Sequence, residues 1–274
     1  MNQPYKWVGS KRRYLPIIRA LMPPSYGTYY EPFFGGGALF FDLEPRQAVV
    51  SDLSRDNINF IKALGGATCN LIDQVRELAG VYNGVSEEDK SRLFEAARTA
   101  YNARNRAGWG FIHVGQATGF YGLLTGGFNG LWRLNRKGEL NTPFGGDRQI
   151  PFDAAALTQA GRLLSHTVIR HCDFEVTMRD AAAGDFVFLD PPYLDQFDSY
   201  TGNKFGVGEH YRLYRAVEDA RKRGAMVMVT TNDHPHLRNL YKGYRIEGMD
   251  RMQSISQDGK GRGKVKDIVI MGGY

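Results

Sequence analysis

Residues 190 to 193 read Asp-Pro-Pro-Tyr and follow directly on the apolar run Phe186-Val187-Phe188-Leu189. The run predicts a buried strand, and its end carries a carboxylate, two prolines and an aromatic ring. Each proline removes a backbone N–H and fixes φ, so the carbonyls around it are held stiffly and away from any ladder. The rim so formed offers one carboxylate, at least one carbonyl acceptor and one π-face. Those groups suit the amino group of a planar ring such as adenine: two acceptors take its two N–H bonds while the aromatic stacks on the ring. Taken alone, the tetrapeptide fits an ordinary proline turn at a strand end as well.

The elements around it narrow the choice. Thr28-Tyr29-Tyr30 predicts a strand that opens into Glu31-Pro32-Phe33-Phe34-Gly35-Gly36-Gly37, followed by a helix through Leu39, Phe40 and Leu43. A second strand, Ala48 to Ser51, ends at Asp52. A strand, a glycine loop, a helix, a strand and an acid in that order open a nucleotide-binding α/β fold. Later strands are expected at Thr167–Cys172, ending at Asp173-Phe174, at Asp185–Leu189, and at Ala225–Thr231, with Tyr244–Ile255 and Val265–Met271 as an antiparallel pair closing the sheet. Helices are expected from Ser10 to Leu21, with Pro16 able to delay the start, over Asn57–Leu64 and Leu71–Val81, from the Ser86 capping signal to Arg104, and over Glu209–Arg223. Residues Ala107 to Gly146 are dense in glycine and aromatics and read as loops and hairpins. Glu31, Asp52, Asp173 and Asp190 then all stand at or beside the carboxyl ends of strands, where an open α/β sheet binds its ligands. Asp52 is placed to hold ribose hydroxyls, and the glycines let a ligand approach the backbone. A dinucleotide fingerprint starting at Gly35 would need glycine at position 40, where the chain has Phe40, so a nicotinamide dehydrogenase is disfavoured.

Composition bounds the rest. A chain of 274 residues, 42% hydrophobic and 23% charged, can bury a full α/β core and carry one inserted subdomain. No stretch approaches the roughly 18 apolar residues that span a bilayer, and no signal-peptide core is seen, so a cytoplasmic protein is expected. Two distant cysteines, Cys69 and Cys172, and six histidines in no ligand spacing except His234-Pro-His236, whose intervening proline disfavours a shared metal, predict neither a disulfide framework nor a metal. The net charge of +6 is compatible with a polyanion, with basic clusters at 11–13, 133–137, 221–223 and 260–266. The glycine-rich second and fourth clusters look like phosphate-contacting loops.

The chain resembles the Dam family of DNA N6-adenine methyltransferases. The segments that carry the resemblance are Lys6-Trp7-Val8-Gly9-Ser10-Lys11, Glu31 to Gly37, Asp52, Phe128-Asn129-Gly130-Leu131-Trp132-Arg133, Asn141-Thr142-Pro143-Phe144-Gly145, Asp190 to Tyr193, and Ser254-Ile255-Ser256 with the basic loop after it. They run in the family's order over nearly the whole chain.

The resemblance implies an S-adenosylmethionine-dependent (Rossmann-like) α/β sheet with helices on both faces. The catalytic domain would be 1–61 and 166–274, and 62–165 an inserted target-recognition subdomain. It implies S-adenosylmethionine as cofactor, S-adenosylhomocysteine as product, no metal, and duplex DNA as partner, with a monomer and no membrane or obligate protein partner. Trp7 would stack on the cofactor adenine, Asp52 hold the ribose, and Asp173 accept from the exocyclic amine with Phe174 beside it. Lys11, Glu31, Phe33 and Gly35, Gly36 and Gly37 would enclose the methionine moiety, next to Asp190.

The target adenine would leave the stack, with Asp190 and the Pro191 carbonyl accepting its amino hydrogens, Pro192 stiffening the rim and Tyr193 stacking on the base. Transfer would be direct, by positioning and fixed dipoles. Arg133 would read guanine, since arginine pairs bidentately with it. Phe128 would wedge between bases beside Asn129 and Leu131, and Lys6 would add a base contact. Arg136, Lys137, Lys260, Arg262 and Lys264 suit the phosphate backbone. GATC is the expected site.

Three features depart from the family pattern: the stretch Gly108–Gly127 reads as an insertion, Trp132 is bulky for a reading hairpin, and Gly146-Asp147 replaces basic and aromatic residues. Other readings stay open: an adenine methyltransferase with another target, in restriction–modification or on RNA, or a catalytically silent DNA-binding protein on the same scaffold.

Overall fold

Short runs of β-branched and aromatic residues, apolar on both faces, build the strands at the centre of the molecule. The structure is a computed structural model and describes residues 1–103, 113–194, 205–249 and 267–274. Chain order is α1 (Leu15–Leu21), β1 (Tyr29–Glu31), α2 (Ala38–Leu43), β2 (Ala48–Asp52), α3 (Arg55–Gly66), α4 (Thr68–Asn83), α5 (Glu87–Ala103) and α6 (Val114–Gly126). Then come α7 (Ala154–Ser165), β3 (Val168–His171), α8 (Phe174–Met178), β4 (Phe186–Leu189), α9 (Val207–Lys222), β5 (Met226–Asn232), α10 (Pro235–Leu240), β6 (Arg245–Met249) and β7 (Asp267–Gly272). Among the described residues the strands form one seven-stranded sheet in the order β3-β2-β1-β4-β5-β7-β6. The pairs from β3 to β5 are parallel, while β7 runs antiparallel to both β5 and β6. This is the doubly wound, methyltransferase-type sheet that the sequence reading expects.

Strand alternation sorts the core into two faces. Tyr29, Phe186, Phe188, Met228, Val269 and Met271 pack on the face covered by α2, α3 and α6. Tyr30, Val187, Leu189, Val227, Val229, Ile268 and Ile270 pack on the other, against α8 and α9. The chain order reverses between β1 and β4, which lie side by side although β2 and β3 come between them in sequence. A crevice opens at such a switch point, beyond the carboxyl ends of the two strands.

Several expectations need correction. The first helix does not run from Ser10: a 3-10 turn covers Lys11–Tyr14, and α1 starts at Leu15 with Pro16 in its first turn, where the missing N–H costs nothing. Helices α7, α8 and α10 were not anticipated; α7 is capped by the Asp153 carboxylate, which accepts from the Ala156 N–H. The larger correction is α6. Val114–Gly126 is a helix inside the stretch read as loops and hairpins. Its glycines 115, 119, 122 and 126 fall at helical spacing, and a Cβ on Gly122 would stand 2.8 Å from Leu78 on α4. Close approach to α4 outweighs the poor helix propensity of glycine. The part of that stretch from 104 to 112 lies outside the described residues, as does the segment 250–266 with Lys260, Arg262 and Lys264 and the end of the strand expected to reach Ile255.

The same kind of close crossing joins α3 to α7. A Cβ on Gly161 would lie 2.7 Å from the Leu64 carbonyl oxygen and 2.7 Å from the Thr68 side chain. Backbone oxygen cannot yield as a side chain can. Gly161→Ala should therefore lower unfolding stability by about 1–3 kcal/mol in urea denaturation, although alanine is the better helix former. A raised midpoint would refute the tight crossing.

Candidate active site

The register of β4 on β5 sets the central carboxylate. Leu189 pairs with Val229, so the next residues, Asp190 and Thr230, stand side by side just past the strand end. Both follow Phe188 and Met228 by two positions and so share the α3 face. Thr230 is fully buried, and its hydroxyl donates to Asp190 Oδ1 at 2.8 Å. Lys11, buried on the turn after the N-terminal segment, brings its ammonium to Asp190 Oδ1 at 2.6 Å and Oδ2 at 2.8 Å, with the Gly9 carbonyl at 3.2 Å. The same ammonium lies 4.9 Å from the centre of the Tyr193 ring. The ammonium expected beside a methionine moiety thus also pairs with Asp190. Burial and the neighbouring Asp190 push the Tyr193 phenol far above its usual range, so it stays neutral.

Glu31 closes β1 on the same face. It is buried and accepts the Tyr29 hydroxyl at 2.8 Å. Burial first, and then Asp190, raises its carboxyl well above the usual carboxylate range. Asp52, at the end of β2, accepts from the Gly35 N–H at 2.7 Å and the Ser54 N–H at 2.7 Å, one on each oxygen. A carboxylate oxygen can accept more than one bond.

The glycine loop is shaped by these contacts. Gly35 and Gly37 have φ of 48° and 63°, open to glycine at no steric cost. A Cβ on Gly36 would stand 2.7 Å from Trp7 Cβ. Trp7 lies across this loop, with Tyr5 and Phe120 on its other sides at 6.1 and 6.4 Å between ring centres.

Asp173 caps α8 and accepts from the Glu175 N–H at 3.0 Å and from Arg212 Nη2 at 3.0 Å, both on Oδ1. Among the described residues its Oδ2 is left to another donor. Phe174 is buried, stacks on Phe33 at 5.2 Å and meets Phe205 edge-on at 6.2 Å, with the Arg212 guanidinium 5.1 Å from its ring centre. The described contacts thus set two separate aromatic groups around the crevice, Trp7 with the glycine loop and Phe33-Phe174-Phe205 beyond Asp173.

The expected DNA-reading residues gather elsewhere, on a hairpin. The Phe128 N–H bonds the Pro143 carbonyl at 2.9 Å, and the Asn141 N–H bonds the Arg133 carbonyl at 3.0 Å. Phe128 is 49% exposed. Asn129 is exposed with φ of 55°, and Arg148 donates to its Oδ1 at 3.2 Å. Leu131 is half-buried. The Arg133 guanidinium is held by Asn141, Nε to Oδ1 at 2.7 Å and Nη2 to the backbone oxygen at 3.0 Å. Lys6 is exposed and lies against Gly130, and Arg136 and Lys137 are exposed at the hairpin tip.

Trp132, bulky for such a hairpin, points inward: it is fully buried, 4.6 Å from Phe120 and 5.4 Å from Tyr101 between ring centres. Asp147 pairs with the buried Lys90 of α5 at 2.5 Å, which anchors the hairpin's end.

Sequence reasoning missed Thr230, Phe205, Arg212 and His210. Thr230 was legible in principle, from strand alternation and register; Phe205 and Arg212 had no such signal. His210, in the first turns of α9, is 1% exposed and meets Phe205 edge-on at 4.9 Å. Burial lowers its imidazole to about 4, against the Pro192 carbonyl, which favours a ring proton.

This arrangement puts a fixed carboxylate, a stiff proline rim and an aromatic face at the switch point. Residues 7–255 match the D12 class of N6 adenine-specific DNA methyltransferases. The chain belongs to this family. It is similar over 97% of its length to a type II methyltransferase, M1.LlaDCHI, of Lactococcus lactis subsp. cremoris, at 30% identity and across 93% of that protein. A DNA adenine methylase of Vibrio cholerae is 26% identical, covering 97% of this chain and 94% of its own. A DNA N-6-adenine-methyltransferase of Escherichia phage P1 is 30% identical over 97% of this chain but only 34% of its own length. The protein is therefore an adenine-specific DNA methyltransferase. No helix among its described residues is long and apolar enough to cross a membrane.

The buried imidazole next to the methyltransferase's Pro192 gives a stability test. The folded value of about 4 lies below the ordinary 6.5, so the neutral ring's contribution is present above about 6.5 and is lost as pH falls towards 4. In urea titrations the enzyme should lose unfolding free energy across that window, and His210→Gln should lose distinctly less. Equal slopes for the two would show that His210 titrates normally.

Proposed function

We propose that this methyltransferase transfers the methyl group of S-adenosylmethionine to N6 of an adenine flipped out of duplex DNA, at GATC. The observation that carries the reading is Asp190, held at the switch point by Lys11 and Thr230 and followed by the Pro-Pro-Tyr rim. Asp190 and the Pro191 carbonyl accept the two amino hydrogens of the base. Such bonding draws the nitrogen lone pair out of ring conjugation. Pro192 stiffens the rim, and the Tyr193 ring stacks on the base.

The donor set of the crevice fits the cofactor: carboxylates for hydroxyls and an amine, an ammonium for a carboxylate, and aromatic rings for a purine. S-adenosylmethionine, when bound, supplies an electrophilic methyl group and is converted to S-adenosylhomocysteine. Asp52 holds its ribose, and Asp173 with Phe174 receives the adenine amine. Trp7, Phe33, Gly35, Gly36 and Gly37 bound the cleft, with Glu31 and Lys11 on the methionine side.

Residues 62–165 form the target-recognition subdomain, and 1–61 with 166–274 the catalytic domain. The hairpin supports this division, because it presents an exposed aromatic among cations. Arg133 reads guanine with the guanidinium edge that Asn141 leaves open, Phe128 wedges at the base step, and Lys6, Asn129 and Leu131 complete the reading face. Arg136, Lys137, Lys260, Arg262 and Lys264 hold phosphates.

Incubation with methyl-labelled S-adenosylmethionine and duplexes with or without GATC tests the reading. Label on adenine N6 confined to the GATC duplex supports it, and label in both duplexes rejects the site while keeping the chemistry. Asp190→Ala should lower kcat on the order of 10³-fold or more with an unchanged circular dichroism spectrum. Retained turnover would reject Asp190 as the acceptor. Arg133→Ala should narrow the preference for the guanine-bearing site by about 1–3 kcal/mol in kcat/KM; an unchanged ratio would remove Arg133 from the reading face.

A further inference from the structure

The donors on Asp190 are distributed unequally. Among the described residues, Oδ1 takes two, Lys11 Nζ at 2.6 Å and Thr230 Oγ1 at 2.8 Å, whereas Oδ2 takes only Lys11 Nζ, at 2.8 Å. The Thr230 hydroxyl has a second acceptor in reach, the Leu189 carbonyl, but that oxygen is 3.4 Å away. A single hydroxyl proton goes to the nearer, charged partner. Thr230 itself cannot drift. It is fully buried in the middle of β5, and β-branching restricts its χ1.

We propose that Thr230 is the positioning residue of this active site: it pins Oδ1 of Asp190, fixes the plane of the carboxylate, and so assigns Oδ2 to the amino group of the target adenine. The inference rests on Asp190 being the acceptor of that amino group. A carboxylate held by Lys11 alone would keep its charge partner and still swing about its last torsion, because an ammonium is a rotatable point charge. The hydroxyl on the neighbouring strand supplies a second fixed point. The effect of losing it falls on the alignment of bound base and methyl, not on the capture of either substrate, since Thr230 is buried behind the carboxylate and faces neither.

Thr230→Val keeps shape and burial and removes only the donor. It should lower the single-turnover methylation rate ten- to a hundredfold, with the KM for S-adenosylmethionine and the KM for DNA each within about twofold of the parent. Thr230→Ser restores the hydroxyl without the methyl group and should recover most of the rate, although it leaves a small cavity. Thermal melting of both variants reads the structural contribution separately.

Three results would overturn the assignment: an unchanged rate in Thr230→Val, a serine variant as slow as the valine variant, or a slow valine variant whose loss appears in KM. Asp190→Ala is measured alongside. If that variant keeps its activity, the acceptor reading fails and takes this inference with it. If it is inactive while Thr230→Val is fast, only the positioning role of Thr230 fails.

Discussion

A carboxylate that is only 19% exposed stands just past the end of a strand buried on both faces, and it must be held there by fixed partners. Asp190 meets that constraint with an ammonium from the N-terminal segment and a hydroxyl from the next strand. A buried charge is tolerated only when it is paired and hydrogen-bonded. The N-terminal segment must therefore fold back over the sheet to deliver Lys11. It does so by way of Tyr5, whose hydroxyl bonds Asn57 of α3, and Trp7, which lies on the glycine loop. Asn57 in turn donates to the Gly35 carbonyl at 2.6 Å. The loop, the first turn of the chain and the acid at β4 are thereby tied into one unit, and the Pro-Pro rim keeps that unit stiff.

The catalytic side of the molecule was largely legible in the sequence. The apolar runs of β1, β2, β4 and β5 are short and uninterrupted, as strands covered on both faces must be, and each is followed by a chemically conspicuous residue. Glu31, Asp52 and Asp190 could be placed at one edge for that reason. What could not be read was the partner of each acid. That Lys11 would sit on Asp190 depends on how a 3-10 turn packs 179 positions away in sequence. Thr230 lay one inference further than the strand list, since it needed the register of β4 on β5. His210 and Phe205 come after residues 195–204 in sequence, and the approach of His210 to the Pro192 carbonyl is purely tertiary.

The segment 62–165 was harder, and α6 shows why. Four glycines in thirteen residues argue against a helix by propensity alone. Their spacing of four, three and four residues places them on one stripe, and that stripe lets α6 press against Leu78 and Tyr82 of α4. The gain comes from packing that a local reading does not see. Trp132 and Asp147 follow the same logic. Both looked like departures in a reading hairpin, and both turn out to fasten it to α5 and α6, Trp132 through Tyr101 and Phe120 and Asp147 through Lys90. The exposed Phe128 and Asn129 and the half-buried Arg133, all close to Trp132 in sequence, are thereby carried on a fixed base.

The central claim is that Asp190 receives the amino group of an adenine taken out of the helix. A crystal structure of the enzyme with S-adenosylhomocysteine and its target duplex tests it most directly. The account predicts an extrahelical adenine stacked on Tyr193, with N6 within hydrogen-bond distance of Asp190 Oδ2 and the Pro191 carbonyl. An adenine left in the duplex, or one flipped into a different pocket, would contradict it.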